Sequence, residues 1–169
     1  LPIDFTLDAY KDILKRAQIW LSMRTTVLVT LLGTALSLTL TICAAYALSR
    51  DCLPGRKFFT GLILFTMYFG GGLIPTFLVV KQVGLYDSLG ALFIPQSVNF
   101  IVMRTFFREL PKELEEAARI DGASDIQALI KIILPLSLPI IATIGLFYAV
   151  GYGNSYFDAL LYIQNPDKY

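Results

Sequence analysis

Few side chains in this sequence are equipped for chemistry, and histidine is not among them. Imidazole acid–base catalysis and histidine metal ligation are therefore excluded. The two cysteines are Cys43, in an apolar run, and Cys52, in a short polar one. They are too few for a disulfide framework. No G-x4-G-K-[ST] string occurs, so nucleotide cannot be cradled by that route. The polar chemistry gathers in one place. From Arg104 to Lys131, 28 positions hold five basic and six acidic side chains, against 14 and 13 in the whole chain.

Within that region the stretch Leu110 to Pro139 reads LPKELEEAARIDGASDIQALIKIILPLSLP. It predicts two short helices around a turn. Pro111 suits a first helical turn. Glu113, Glu115 and Glu116 lie near that helix's N-terminus, where the peptide dipole favours anions. Ala117 and Ala118 offer a small surface. Asp121-Gly122 is a break, with Gly122 suited to a left-handed C-cap. Ser124 starts the second helix, and Gln127 completes a capping box. Ile126, Leu129, Ile130 and Ile133 then recur at helical spacing. An amphipathic segment of this shape can dock a partner. The same features also fit an ordinary loop helix, and Glu116 also serves as a simple dipole acid.

The elements around this loop are apolar. Of 169 residues, 56% are hydrophobic and 16% charged, and the mean hydropathy is +0.64. Soluble domains carry about 45–50% apolar and about 25% charged residues. Disorder is excluded. A net charge of +1 with no basic block argues against nucleic acid. A helix crossing a bilayer needs about 20 mainly apolar residues. Four stretches qualify or come near: Thr25–Ser49, Phe58–Val80, Leu89–Phe107 and Ile132–Gly151.

The first carries a stripe of small residues, Gly33, Ser37, Thr41 and Ala45, on one face. The second contains Gly70-Gly71-Gly72 and Pro75, and so is expected to be bent and packed within a bundle. The third holds Pro95, Gln96, Asn99 and Arg104; Gln96 and Asn99 share one side and are expected to face the bundle interior. The fourth has Pro135 and Pro139 in its first turns. Tyr148, Tyr152, Asn154, Tyr156 and Asp158 cluster toward its far end, as the lining of a substrate pathway or as an interfacial aromatic belt. Arg50–Lys57 and Arg104–Lys131 fall on the same, slightly more basic side, which the positive-inside rule makes cytoplasmic.

The spacing Glu116-Ala117-Ala118-x3-Gly122-x9-Ile132-x-Leu134-Pro135 resembles the EAA motif of binding-protein-dependent ABC importers. Asp121-Gly122-Ala123 is similar to its carbohydrate-uptake, maltose-type branch. Ala44-Ala45-Tyr46-Ala47-Leu48-Ser49-Arg50 and Gly71-Gly72-Leu73-Ile74-Pro75-Thr76 resemble other segments of the same permeases. Two departures stand out. Gly153 occupies a position where members usually carry Trp, and the third span is a few residues short.

The resemblance implies an all-α, polytopic transmembrane bundle of the type I importer permease class, here a fragment of about four spans with a cytoplasmic coupling-helix loop. Beginning at Leu1 rather than Met, the chain is expected to be the middle of a longer protein. Residues 1–24 are expected to be an extracytoplasmic segment, 25–163 the transmembrane domain with its coupling loop at 109–131, and 164–169 a truncated tail. Glu115, Glu116, Ala117, Ala118, Arg119, Asp121, Gly122 and Ala123 would couple to the ATPase. The implied partners are a second permease subunit, two ATPase subunits, an extracytoplasmic solute-binding protein and membrane lipid. ATP and Mg belong to the ATPase, and this chain is expected to bind no cofactor and to be no enzyme. The implied place is the bacterial inner membrane and the implied cargo a sugar or oligosaccharide. Another ABC solute is the alternative. A secondary transporter fits less well, because no Asp or Glu lies within the four spans. A membrane enzyme would lack a base beside Cys43 or Ser37, and a structural subunit without transport is a further alternative.

Overall fold

The computed structural model describes residues 17–51, 53–88 and 97–155. Those residues are helical, with no strand among them. Helix α1 runs Ala17–Ser49, 33 residues, or about 50 Å at 1.5 Å per residue. Residues 17–24, expected outside the membrane span, continue the same helix, because neither Gly nor Pro interrupts the sequence there. Within it Ile19–Ser49 is long and apolar enough to cross a bilayer.

The expected second span is two helices, α2 (Arg56–Tyr68) and α3 (Leu73–Gln82). Residues 69–72 separate them. Glycines weaken a helix by about 1 kcal/mol each. Gly72 adopts φ +81°, and a Cβ at Gly71 would stand 3.4 Å from the Pro75 ring. Among the described residues α2 packs on α1 and on the helix Ser97–Glu109, with Ile63 against the core, but buries no residue fully; α3 buries Val80. Most of their other apolar side chains are exposed.

Helix α4 (Ser97–Glu109) is the described part of the third span; Pro95 and Gln96 lie outside the described residues. It buries Asn99, Phe100, Met103 and Phe107 on one face. Helix α5 (Lys112–Ile120) and helix α6 (Asp125–Leu136) follow. The last among the described residues is α7 (Leu138–Gly153).

The fourth span, expected as one helix from Ile132, is broken: α6 and α7 are long and apolar enough to cross a bilayer only when taken together as a bent pair. The chain turns by 83° between α6 and α7. The two prolines explain the change. Pro135 has no N–H to complete the helical ladder and its ring crowds the preceding turn. The backbone widens into a π turn over Leu129–Ile133, with Leu134 N–H bonded to Leu129 O. Pro139 sits in the first turn of α7, where a missing N–H costs little.

The helices meet along α1. Val29, Ser37, Thr41 and Ala45 are all buried, and so is Gly33 between them, which makes the small-residue stripe a packing face. Opposite lie Ile144, Tyr148 and Tyr152 of α7. Small residues let the backbones approach closely, as at Gly145, where a Cβ would stand 3.7 Å from Leu38. The Tyr148 hydroxyl bonds Thr41 at 2.7 Å, and that of Tyr152 bonds Ser37. Buried tyrosines need such partners. Helix α4 packs on both α1 and α7, with Met103 fully buried.

Candidate functional site

The 109–131 loop forms the two helices its sequence predicts. Helix α5 ends at Asp121, and Gly122 takes φ +79°. Gly122 N–H bonds Arg119 O at 3.0 Å and Ala123 N–H bonds Ala118 O at 2.9 Å. That pair of bonds is a Schellman closure, which requires the left-handed residue between them. No atom lies within 4 Å of a Cβ built at Gly122, so conformation and not space restricts this position. Ser124 then caps α6. Its Oγ accepts from Gln127 N–H at 3.3 Å, and Gln127 Oε1 accepts from Ser124 N–H at 2.9 Å.

The two alanines of the motif have different surroundings. Ala117 is exposed, whereas Ala118 is 4% exposed and packs inside the chain. The apolar stripe of α6 also divides. Leu129 and Ile133 are buried in the core, while Ile126 and Ile130 point outward. With Ile120, the most exposed of these at 87%, they give the loop exposed apolar side chains on both sides of the Gly122 turn in sequence. Glu116, Arg119 and Asp121 are exposed on the same loop, and Ala123 is half-buried.

Charges hold this loop to the end of α1 and the residues that lead into α2. Arg50 lies 3.3 Å from Glu115 and 3.1 Å from Asp125. Arg119 also reaches Asp125, at 3.3 Å. Lys112 bonds Asp51 at 2.7 Å, and Arg56 bonds the same carboxylate. Those bonds to Lys112, and then to Arg56, hold the Asp51 carboxyl down at about 2 and raise the Lys112 ammonium. Arg104 Nε donates to Leu48 O at 3.0 Å, closing a carbonyl left open in the last turn of α1. An open cleft of about 260 Å³ lies between, lined by Arg50, Arg108, Lys112, Glu116 and Phe107 among others. Sequence reasoning missed Arg50, Tyr46 and Asp51 as loop contacts. Arg50 stood only as a span flank and as the end of a familiar string.

The expected pathway residues are placed as follows. Asn99 is 4% exposed, and its Nδ2 finds no partner among the described residues. Tyr148 and Tyr152 are buried in the α1–α7 seam with both hydroxyls bonded. Asn154 is exposed and donates to Val150 O at 2.8 Å. Gly153, in place of a Trp, adjoins Thr30; a Cβ there would be in ordinary contact at 3.9 Å. Gln96, Tyr156 and Asp158 lie outside the described residues.

Residues 55–166 match the model of the binding-protein-dependent transport system inner membrane component. The chain belongs to that family. It is 49% identical to the polygalacturonan/rhamnogalacturonan transport system permease protein YtcP of Bacillus subtilis, over 100% of this chain and 60% of that protein. It is 30% identical to the trehalose transport system permease protein SugB of Mycobacterium tuberculosis, over 95% of this chain and 61% of that protein. A solved bacterial ABC transporter involved in import of the acidic polysaccharide alginate superposes with a TM-score of 0.94 at 38% identity. The match covers 99% of this chain and 61% of that one. The chain thus spans about 60% of the length of these relatives. These relatives are sugar transport permeases, and the all-α permease fold is shared with them.

Proposed function

We propose that this chain is the translocation subunit of an ATP-driven oligosaccharide importer, and that its 109–131 loop receives the stroke of a partner ATPase. The observation that carries this reading is the loop's exposed apolar side chains: Ile120, Ile126 and Ile130, on both sides in sequence of a Schellman-closed Gly122. Exposed isoleucines at the tip of an otherwise charged loop fit a partner groove. Glu116, Ala117, Arg119 and Asp121 supply its polar rim, while Glu115, Ala118 and Ala123 hold the turn in shape.

In this reading two ATPase subunits, carrying ATP and Mg, sit beneath this chain and a second permease subunit. The loop faces the cytoplasm of a bacterial cell, with the spans in the inner membrane. An extracytoplasmic binding protein delivers the sugar. Asn99, buried with a spare donor, is the described residue best placed to meet a hydroxylated solute, with Gln96, Asn154, Tyr156 and Asp158 assigned to the same path. Tyr148 and Tyr152 brace its wall.

The test is Ile120→Asp in the full-length protein, expressed with its partners. The ATPase is expected to be lost from the purified complex, with uptake down about ten-fold or more, as for an anchor residue at an interface. Retained ATPase with normal uptake would overturn the docking assignment. Uptake is measured with oligosaccharides from galacturonan and from alginate, and with trehalose. Transport of the oligosaccharides over trehalose is expected, because the polygalacturonan/rhamnogalacturonan and alginate relatives are 49% and 38% identical and the trehalose relative 30%.

A further inference from the structure

Helix α5, the half of the loop that carries Glu116 and Ile120, buries only Ala118. Helix α6 is anchored differently, through Ala128, Leu129 and Ile133. So α5 is attached mainly by charge: Lys112 to Asp51, Arg119 to Asp125, and Glu115 to Arg50, which also holds Asp125. Arg50 directly follows α1. Its Nη1 donates to Asp125 Oδ1 at 3.1 Å, and its Nη2 lies 3.3 Å from Glu115 Oε2. The guanidinium lies over the Tyr46 ring, 4.5 Å from its centroid, and donates to the Tyr46 hydroxyl. That hydroxyl in turn donates to the Asp125 carbonyl at 3.3 Å. The Arg50 side chain is 9% exposed.

Glu115 belongs to α5 and Asp125 opens α6, so one nearly buried cation spans both sides of the Gly122 turn. A guanidinium suits this task, because its planar fork fixes direction as well as charge. The same arginine ends the helix that is hydrogen-bonded to α7 through Ser37 and Thr41. Helix α6 joins α7 from the other side through the 83° turn. The linkage is thus a closed ring: α1, Arg50, the loop, the turn at Ser137, α7, and back to α1.

We propose that Arg50 is a positioning residue, a strut that makes α5, α6 and α1 move as one body. A displacement of the Ile120 tip then reaches the α1–α7 seam and is not absorbed by α5 pivoting at Gly122. This rests on the coupling role proposed above.

The experiment uses the complete transporter in proteoliposomes. It reads ATPase retention, ATP hydrolysis with binding protein present, and solute moved per ATP. Arg50→Gln is expected to leave retention and hydrolysis unchanged while solute moved per ATP falls about ten-fold, a typical size for a coupling free energy. Arg50→Lys keeps the charge without the fork and is expected to recover part of the loss. Glu115→Gln with Asp125→Asn removes these contacts from the other side, together with the Arg119–Asp125 pair, so its loss is expected to equal or exceed that of Arg50→Gln. Adding Arg50→Gln to that double variant should cost nothing more, since the contacts of Arg50 with both carboxylates are then already gone. Wild-type solute per ATP in Arg50→Gln, or losses that add, would overturn the proposal. Should Arg50→Gln fail to assemble, the carboxylate pair decides: wild-type coupling there overturns it and a loss of about ten-fold or more supports it. Failure of the underlying reading looks different, because ATPase would then be missing, or uptake would not follow ATP, with Arg50 intact.

Discussion

Helix α1 is joined to α7 along its length and to the loop at its end, by different physics. The α7 seam is made of small residues and two tyrosine hydroxyls, with Ser37 and Ala45 fully buried. The loop junction is made of guanidinium, ammonium and carboxylate groups, several of them open to water. A seam of the first kind depends on shape and has no use for ionic strength or pH. A junction of the second kind is held by forces that can be rearranged without unpacking a core. A permease that must stay folded while it changes access has reason to keep its spans on the first and its driven loop on the second.

The largest expected effect breaks the seam. Ser37→Leu places three extra carbons at a fully buried position and removes the Ser37 bond of the Tyr152 hydroxyl. Overpacking and a lost buried partner together cost about 3 kcal/mol. Thermal unfolding of the full-length protein in detergent checks this, and a melting temperature equal to wild type would mean the seam is looser than described. Tyr148→Phe is milder. It removes the bond to Thr41 at 2.7 Å, and that hydroxyl can turn back to a helix carbonyl, so about 1 kcal/mol is expected. Neither loss should depend on salt. A salt-dependent loss in Tyr148→Phe would blur the distinction between the two regions.

The same comparison explains what the sequence could reveal. The small stripe from Gly33 to Ala45 is legible because helical spacing alone places it on one face, and the structure buries it. The turn at Gly122 and the Ser124–Gln127 cap are legible because their bonds are local. Arg50 was not, since its partners lie 65 and 75 residues away and no periodicity links them. The break before α7 was missed for a related reason. Ile132 to Leu136 is as apolar as the helix that follows, and composition shows neither the π turn nor the 83° bend between them. The division of Ile126 and Ile130 from Leu129 and Ile133 follows from that π turn, which a uniform helical period does not contain.

The smallest effect tests the exposed edge of the charged junction. Asp51 is paired with Lys112 and Arg56, and its carboxyl stands at about 2 against an ordinary 3.8. A carboxyl depressed by folding contributes stability that is full above its unfolded value and fades as pH falls toward its folded one. The contribution should therefore be intact above about pH 4 and gone near pH 2. Lys112 is raised by the same bond, so its share persists at neutral pH and is lost only at strongly alkaline pH, above its ordinary 10.5. The melting temperatures of wild type and Asp51→Asn should differ by a small constant amount from pH 5 to pH 9 and converge below pH 4. Raising salt toward 1 M, where the screening length is about 3 Å, should shrink the same difference at neutral pH. A difference untouched by both acid and salt would mean that Asp51 acts through backbone geometry, and the loop would then be less ionic than its contacts indicate.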